Sequence, residues 1–313
     1  MANISPENIV KGIIKVIRPI HWVKNLSVFG ALIFSQNLFD PLLFSRIVWA
    51  FVAFCLAASS TYIFNDIMDV KRDRLHPIKK NRPIANGELP IPIAIVLGVI
   101  LVLAALYLAR SLSYFFYVLL LIYLVLQACY SLFLKNLPVI DIIIIATGFV
   151  LRIYAGAFVI DAHLSVWFLL CVISVALFLA SGKRRAELGA LGPASGTRES
   201  LSKYPRELLN SYVTMFGNAA WMSWALFTFF ESPRVSTPLW ILLAEISKAT
   251  AINKLLMVTI PFAIFGIMRY QSLIFENRSE APEKLLLTDI PLVASVGIWV
   301  SLVVFILYSG LSI

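Results

Sequence analysis

What most limits the folds open to this chain is the spacing of its apolar runs. Stretches of about 20 residues, nearly free of charge, follow one another along the 313 residues with only short polar breaks. About 20 residues at 1.5 Å each cross a bilayer core of roughly 30 Å as a helix. In lipid every backbone N–H and C=O must be satisfied within the chain, so only helices and closed barrels can span. The runs are continuous rather than alternating, which selects helices. Composition agrees: 60% of residues are hydrophobic, only 14% are charged, and mean hydropathy is +0.88. Soluble domains carry about 25% charged residues. The expectation is an all-α, polytopic membrane protein, with residues 1–313 forming one bundle around a central cavity because no long linker divides the runs.

Nine spans are expected, at about 23–39, 44–65, 91–110, 113–134, 139–159, 164–181, 210–230, 254–270 and 290–310. Residues 1–22 form a cytoplasmic segment. Within it Ile9, Ile13, Val16, Ile17 and Ile20 alternate with Lys11, Lys15 and Arg18 at helical spacing, as in a helix lying on a membrane surface. Leu239 to Asn253 is apolar but carries Glu245 and Lys248, and its placement stays open. With the N-terminus inside, nine spans put twenty Lys and Arg on the inner side and five on the outer. That agrees with the positive-inside bias, and it accounts for the net charge of +9 without a nucleic-acid partner. The protein is expected in the cytoplasmic membrane, with no cleaved signal peptide. Cys55, Cys129 and Cys171 lie in apolar runs and read as small buried hydrophobes.

The stretch Asn65 to Ile84, NDIMDVKRDRLHPIKKNRPI, separates two of these runs. Asp66, Asp69 and Asp73 stand three and then four apart, so on a helix all three carboxylates share one face. Like charges at this spacing destabilise a helix, and a divalent cation would remove the penalty. Mg²⁺ takes oxygen ligands and is usually held by one or two carboxylates together with substrate phosphates. Arg72, Arg74, His76, Lys79, Lys80 and Arg82 follow at once, cations suited to phosphate oxygens. A solvated basic loop needs the cations but not the aspartate spacing. The stretch therefore points to a metal–diphosphate site at the inner end of a membrane helix.

Asp141 and Arg152 fall inside the fifth span, eleven residues apart. That is about 16 Å of helix rise, so they cannot touch and each needs another partner, in a wet cavity or against another helix. Lys135 stands just before Asp141. A polar loop is expected from Lys183 to about Leu208. Its opening, Lys183-Arg184-Arg185 with Glu187, reads as a topology anchor or a phosphate clamp. Arg18, Lys24 and Asn25 form a third edge on the same side, and Arg269, Tyr270, Glu283 and Asp289 lie in the last inner loop.

The run N-D-x-x-D-x-x-x-D from Asn65 to Asp73, continued by R-x-H-P-x-K-x-x-R-P-I-A, resembles the first aspartate motif of the UbiA superfamily of intramembrane prenyltransferases. I-R-P-x-H-W-x-K-N at 17–25, Y-S-x-x-L-K-x-x-P-V-x-D at 130–141, G-F-V-L-R at 148–152 and G-K-R-R-A-E-L at 182–188 look most like its branch acting on decaprenyl phosphate. The resemblance implies nine helices around a central cavity. It implies Mg²⁺-dependent transfer of 5-phosphoribose from phosphoribosyl diphosphate to a polyprenyl phosphate, toward cell-envelope polysaccharide. By it Asn65, Asp66, Asp69 and Asp73 would hold Mg²⁺ and diphosphate. Lys24, Lys135, Arg152, Lys183 and Arg184 would hold phosphates of donor or lipid. Arg74, His76, Lys79, Arg82, Asp141 and Glu187 complete the expected substrate site.

Prenyltransferases acting on aromatic acids such as 4-hydroxybenzoate carry a second aspartate motif in the loop after the sixth span. Here Lys183 to Leu208 contains no Asp, which favours the phosphoribosyl branch. A lipid or small-molecule transporter would place its polar groups along a pathway, whereas these cluster at one mouth. Membrane lipids are partners by construction, and homo-oligomerisation is left open.

Overall fold

The computed structural model describes residues 6–76, 79–190, 204–231, 250–276, 285 and 287–309. Among them the chain is helical and contains no strand. It divides into two compact units, each with its own core.

The first unit takes residues 6–32 and 37–162 of those described. It starts with α1 (Pro6–Ile17) and a 3₁₀ segment, Pro19–Val28, that leads into α2 (Phe29–Phe34). Then come α3 (Pro41–Met68), α4 (Val70–Leu75), α5 (Ile91–Leu112), α6 (Tyr114–Leu132) and α7 (Ile140–Ile160). Asp40 starts α3 by accepting from the N–H groups of Leu42 and Leu43, with Pro41 in the first turn where its missing N–H costs nothing. The amphipathic pattern of α1 is used on both sides. Ile9, Ile13, Val16 and Ile17 pack on Ile63, Ile84, Leu89 and Ala94, while Val10 and Ile14 stay exposed beside Lys11 and Lys15. Lys15 pairs with Glu88 at 3.0 Å and ties α1 to the segment before α5. Gly156 of α7 lets the 3₁₀ segment come against it: a Cβ there would lie 2.2 Å from the Val28 carbonyl oxygen.

The second unit takes residues 33–36, 163–190 and the described residues from 204 onward. It contains α8 (Val166–Ala190), α9 (Arg206–Phe230), a 3₁₀ segment Thr250–Thr259, α10 (Ile260–Phe275) and α11 (Ile290–Tyr308). Its core gathers Phe178, Ala186, Val213, Tyr270, Leu273, Ile274, Leu285 and Leu292. Arg269 of α10 makes a two-pronged pair with Asp289, which also caps α11 through the Leu292 N–H.

Among the described residues, seven helices are long and apolar enough to cross a membrane: Pro41–Met68, Ile91–Leu112, Tyr114–Leu132, Ile140–Ile160, Val166–Gly189, Lys254–Phe275 and Ile290–Tyr308. They match the expected spans two to six, eight and nine. The run at 23–39 is not one α-helix. Arg18, at φ +52°, starts a tighter 3₁₀ segment, and Gln36, at φ +59°, follows the end of α2. The run at 210–230 is a 25-residue helix whose polar side, with Asn210, Ser211, Thr214 and Asn218, dilutes its hydropathy. The polar loop expected from Lys183 does not begin there, because α8 continues through Ala190. Buried partners there outweigh local polarity. Leu239 to Lys248 and Glu283 lie outside the described residues.

Candidate metal and phosphate site

The aspartate column forms as its spacing requires. Asp66 is in the last turn of α3, Asp69 is the joint between α3 and α4, and Asp73 is in α4. The backbone ladder runs through the joint: Asp69 N–H donates to Asn65 C=O at 2.9 Å, and Asp73 N–H to Asp69 C=O at 2.8 Å. Asp66 is 2% exposed and Asp73 4%. Two buried carboxylates with a third beside them could not stay charged alone.

Three cations from distant parts of the sequence meet them. Arg18 lies 2.7 Å from both oxygens of Asp66. Arg82 bridges the column, donating to Asp66 at 2.9 Å and to Asp73 at 2.7 Å. Lys135, 3% exposed in the short 3₁₀ turn Leu134–Asn136, donates to Asp69 at 2.7 Å. Burial pushes the Asp73 carboxyl above the usual carboxylate range, with Asp66 adding to the rise and Arg82 opposing it.

The remaining expected residues divide by unit. In the first, Arg74 donates to the Ala85 C=O, and His76 Nδ1 accepts from the Lys79 N–H, so both shape the segment that carries Arg82. Asn65 and Lys24 are half-buried. Asp141 is fully buried in the first turn of α7, next to Val139, whose φ of +69° is one that β-branched residues rarely adopt. Arg152 is 5% exposed and takes neutral acceptors from separate elements: Asn25 Oδ1 at 2.7 Å, Tyr123 OH at 3.0 Å and the Gly148 C=O one turn back. Aromatic rings flank its guanidinium, with the Tyr123 centroid 4.8 Å away and that of Phe54 5.6 Å away. Lys183, Arg184 and Glu187 belong to the second unit. There Arg184 is fully buried and pairs with Glu187, while Arg185 donates to Asn210 Oδ1 at 2.6 Å.

The site thus gathers Asp66, Asp69, Asp73, Arg82 and Lys135, and it adds Arg18, a residue that sequence reasoning put only at the edge. The sequence signal for Arg18 was the basic residue ahead of Pro19 at the end of an amphipathic helix. Tyr123 carried no signal, since a lone Tyr in an apolar run reads as core. Among the described residues no three Asp, Glu, His or Cys side chains converge as a ready cage. The donor set nevertheless fits Mg²⁺, which needs only one or two carboxylates and takes its other ligands from water and substrate.

Residues 26–182 match the model of the UbiA prenyltransferase family. The chain belongs to that family. Relatives of similar length are the decaprenyl-phosphate phosphoribosyltransferases of Mycolicibacterium smegmatis and Corynebacterium glutamicum. The first is 37% identical over 290 residues, 91% of this chain and 88% of that one. The second is 35% identical over 310 residues, 97% and 89%. Among solved structures, a UbiA homologue from Archaeoglobus fulgidus bound to GPP and Mg²⁺ superposes with a TM-score of 0.68. It is 18% identical, and the match covers 96% of this chain and all of that one. The UbiA fold therefore extends over nearly the whole sequence, beyond the segment that the family model matches.

Proposed function

We propose that this UbiA protein transfers the 5-phosphoribosyl group from phosphoribosyl diphosphate to a polyprenyl phosphate at the cytoplasmic face of the membrane. The observation that carries the reading is the buried acid column with three cations on it, in a chain similar along most of its length to phosphoribosyltransferases of this chemistry. In the transfer, the bond between the anomeric carbon and the diphosphate oxygen breaks, and the electron pair leaves with diphosphate. A lipid phosphate oxygen forms the new bond to that carbon, with no covalent enzyme intermediate. Asp66 and Asp69 would hold Mg²⁺, with Asp73 and Asn65 beside it. Bound there, the ion would neutralise charge on the leaving diphosphate. Arg18, Arg82 and Lys135 already stand at these carboxylates and would take up diphosphate oxygens. Lys24, Arg74 and Lys79 supply further positive charge to the same unit. Arg152 links its helix to Asn25 and Tyr123 on other elements, and Arg184 pairs with Glu187 within α8; any phosphate contact by Arg152, Lys183 or Arg184 would be made from these positions. Nine crossings follow if 19–34 and 206–230 also span. The first covers about 29 Å as ten 3₁₀ and six α residues. The product lipid would feed cell-envelope polysaccharide synthesis.

Aromatic prenylation is the second reading, supported by the fold shared with a GPP-bound homologue. One experiment separates the two. Purified protein with Mg²⁺ receives either polyprenyl phosphate and phosphoribosyl diphosphate, or polyprenyl diphosphate and 4-hydroxybenzoate, and the lipid products are read by mass spectrometry. A phosphoribosylated lipid, lost in Asp66→Asn and Asp69→Asn, is the expected result. A prenylated aromatic overturns it, and folded protein giving neither product moves weight to transport.

A further inference from the structure

Asp66 is crowded by cations. Its Oδ1 accepts from both Arg18 and Arg82, and its Oδ2 from Arg18. Each carboxylate oxygen has two acceptor positions and three of the four are taken, on a side chain only 2% exposed, so a metal ion that takes Asp66 through Oδ1 or through both oxygens has to displace a guanidinium. The two arginines are not equally held. Arg82 keeps Asp73 if it gives up Asp66. Among the described residues Arg18 has no second carboxylate; its other neighbour is the Tyr62 ring, 5.2 Å from the guanidinium carbon. Arg18 also sits at a joint. At φ +52° and ψ +64° it breaks the chain between α1 and the 3₁₀ segment, and its side chain keeps 22% exposure. The helix before it is anchored independently by the Lys15–Glu88 pair and by its apolar side. The guanidinium can therefore swing without α1 letting go.

We propose that Arg18 is a positioning residue that changes partner during donor binding. It holds Asp66 while no divalent cation is present, and it passes to the donor's diphosphate when the cation takes Asp66. The same planar fork fits a carboxylate and a diphosphate equally well. Metal entry and donor capture are thereby coupled: releasing Asp66 is what frees a cation for the donor. The proposal rests on reading Asp66 as a metal ligand.

The test measures two affinities with the full chain in detergent: that for Mn²⁺ alone, by the electron paramagnetic resonance of free Mn²⁺, and that for phosphoribosyl diphosphate at saturating Mn²⁺, by calorimetry. Arg18→Gln should bind Mn²⁺ about tenfold tighter and phosphoribosyl diphosphate about tenfold weaker, each the equivalent of one charge-assisted contact. Arg18→Lys, which keeps the charge but loses the fork, should fall between. Lys15→Gln, on the same helix but paired with Glu88, should leave both affinities unchanged. A merely structural Arg18 would lower both affinities together, and that result, or an unchanged Mn²⁺ affinity, overturns the proposal. Asp66→Asn keeps the two ideas apart. If Mn²⁺ binding survives it, the metal site has been misplaced. If it abolishes binding while Arg18→Gln changes nothing, only the exchange is wrong.

Discussion

The pair between Lys135 and Asp69 gives the sharpest stability prediction. The ammonium is 4% exposed, the carboxylate 16%, and they stand 2.7 Å apart. At an effective dielectric of 20, the attraction at that distance is about 6 kcal/mol. Desolvation takes back several kcal/mol per ion, so the pair as a whole adds little net stability. Its single variants behave differently, because each leaves a charge without this counter-ion. Asp69→Asn deprives the more deeply buried ammonium of this carboxylate and should cost about 4 kcal/mol. Lys135→Met strands the better solvated partner and should cost about 3 kcal/mol. The double variant strands neither, and should be no worse than Asp69→Asn alone. The predicted coupling is therefore about 3 kcal/mol. The assay is reversible unfolding in mixed detergent micelles without divalent cations, run on all four proteins of the cycle. Additive losses, with coupling below about 0.5 kcal/mol, would show that the two groups do not meet in the folded protein.

Three further outcomes are expected. Gly156→Ala should destabilise by about 3 kcal/mol, since its Cβ would meet a backbone oxygen at 2.2 Å; Gly297→Ala, with nothing within 4 Å of its Cβ, should be neutral or slightly stabilising by the same unfolding assay. The raised Asp73 carboxyl means that the folded chain binds its proton more tightly than the unfolded chain does. Stability should fall as pH climbs from the ordinary carboxylate value through the raised one, level off above it, and lose this slope in Asp73→Asn. Arg152→Lys should cost about 3 kcal/mol or more, because an ammonium cannot reproduce the fork that meets Asn25, Gly148 and Tyr123 together; an unchanged unfolding midpoint would refute that role.

The sequence made the periodic features legible. Eight of the nine expected apolar runs are helical near the expected places, seven of them long and apolar enough to span, and the i, i+3, i+7 column of aspartates survives a break in the helix because its backbone bonds continue through the joint. What could not be read was set by contacts between distant residues. Nothing local to Arg18 says that Asp66 lies opposite, 48 residues away, and nothing local to Lys135 says that Asp69 does. The pitch of the run at 23–39 was not legible, because hydropathy counts apolar residues and does not tell a 3₁₀ segment from an α-helix. The burial of Arg184 was also not legible. Three basic residues in a row do not say which of them is enclosed, and it is Arg184 that is buried, paired with Glu187 one turn on.

The acceptors around Arg152 also bear on how the protein is made. A helix with a guanidinium at its centre is a poor candidate for leaving the translocon alone, at a cost of roughly 2.5–3.5 kcal/mol. Among the described residues, every partner of Arg152 outside its own helix lies earlier in the chain: Asn25, Phe54 and Tyr123. Synthesis from the N-terminus delivers all three to the bilayer before Arg152 emerges, so the charge can move from water to a seat already prepared. A chain whose first 30 residues were supplied last, as a separate fragment, should leave α7 poorly inserted until that fragment arrived.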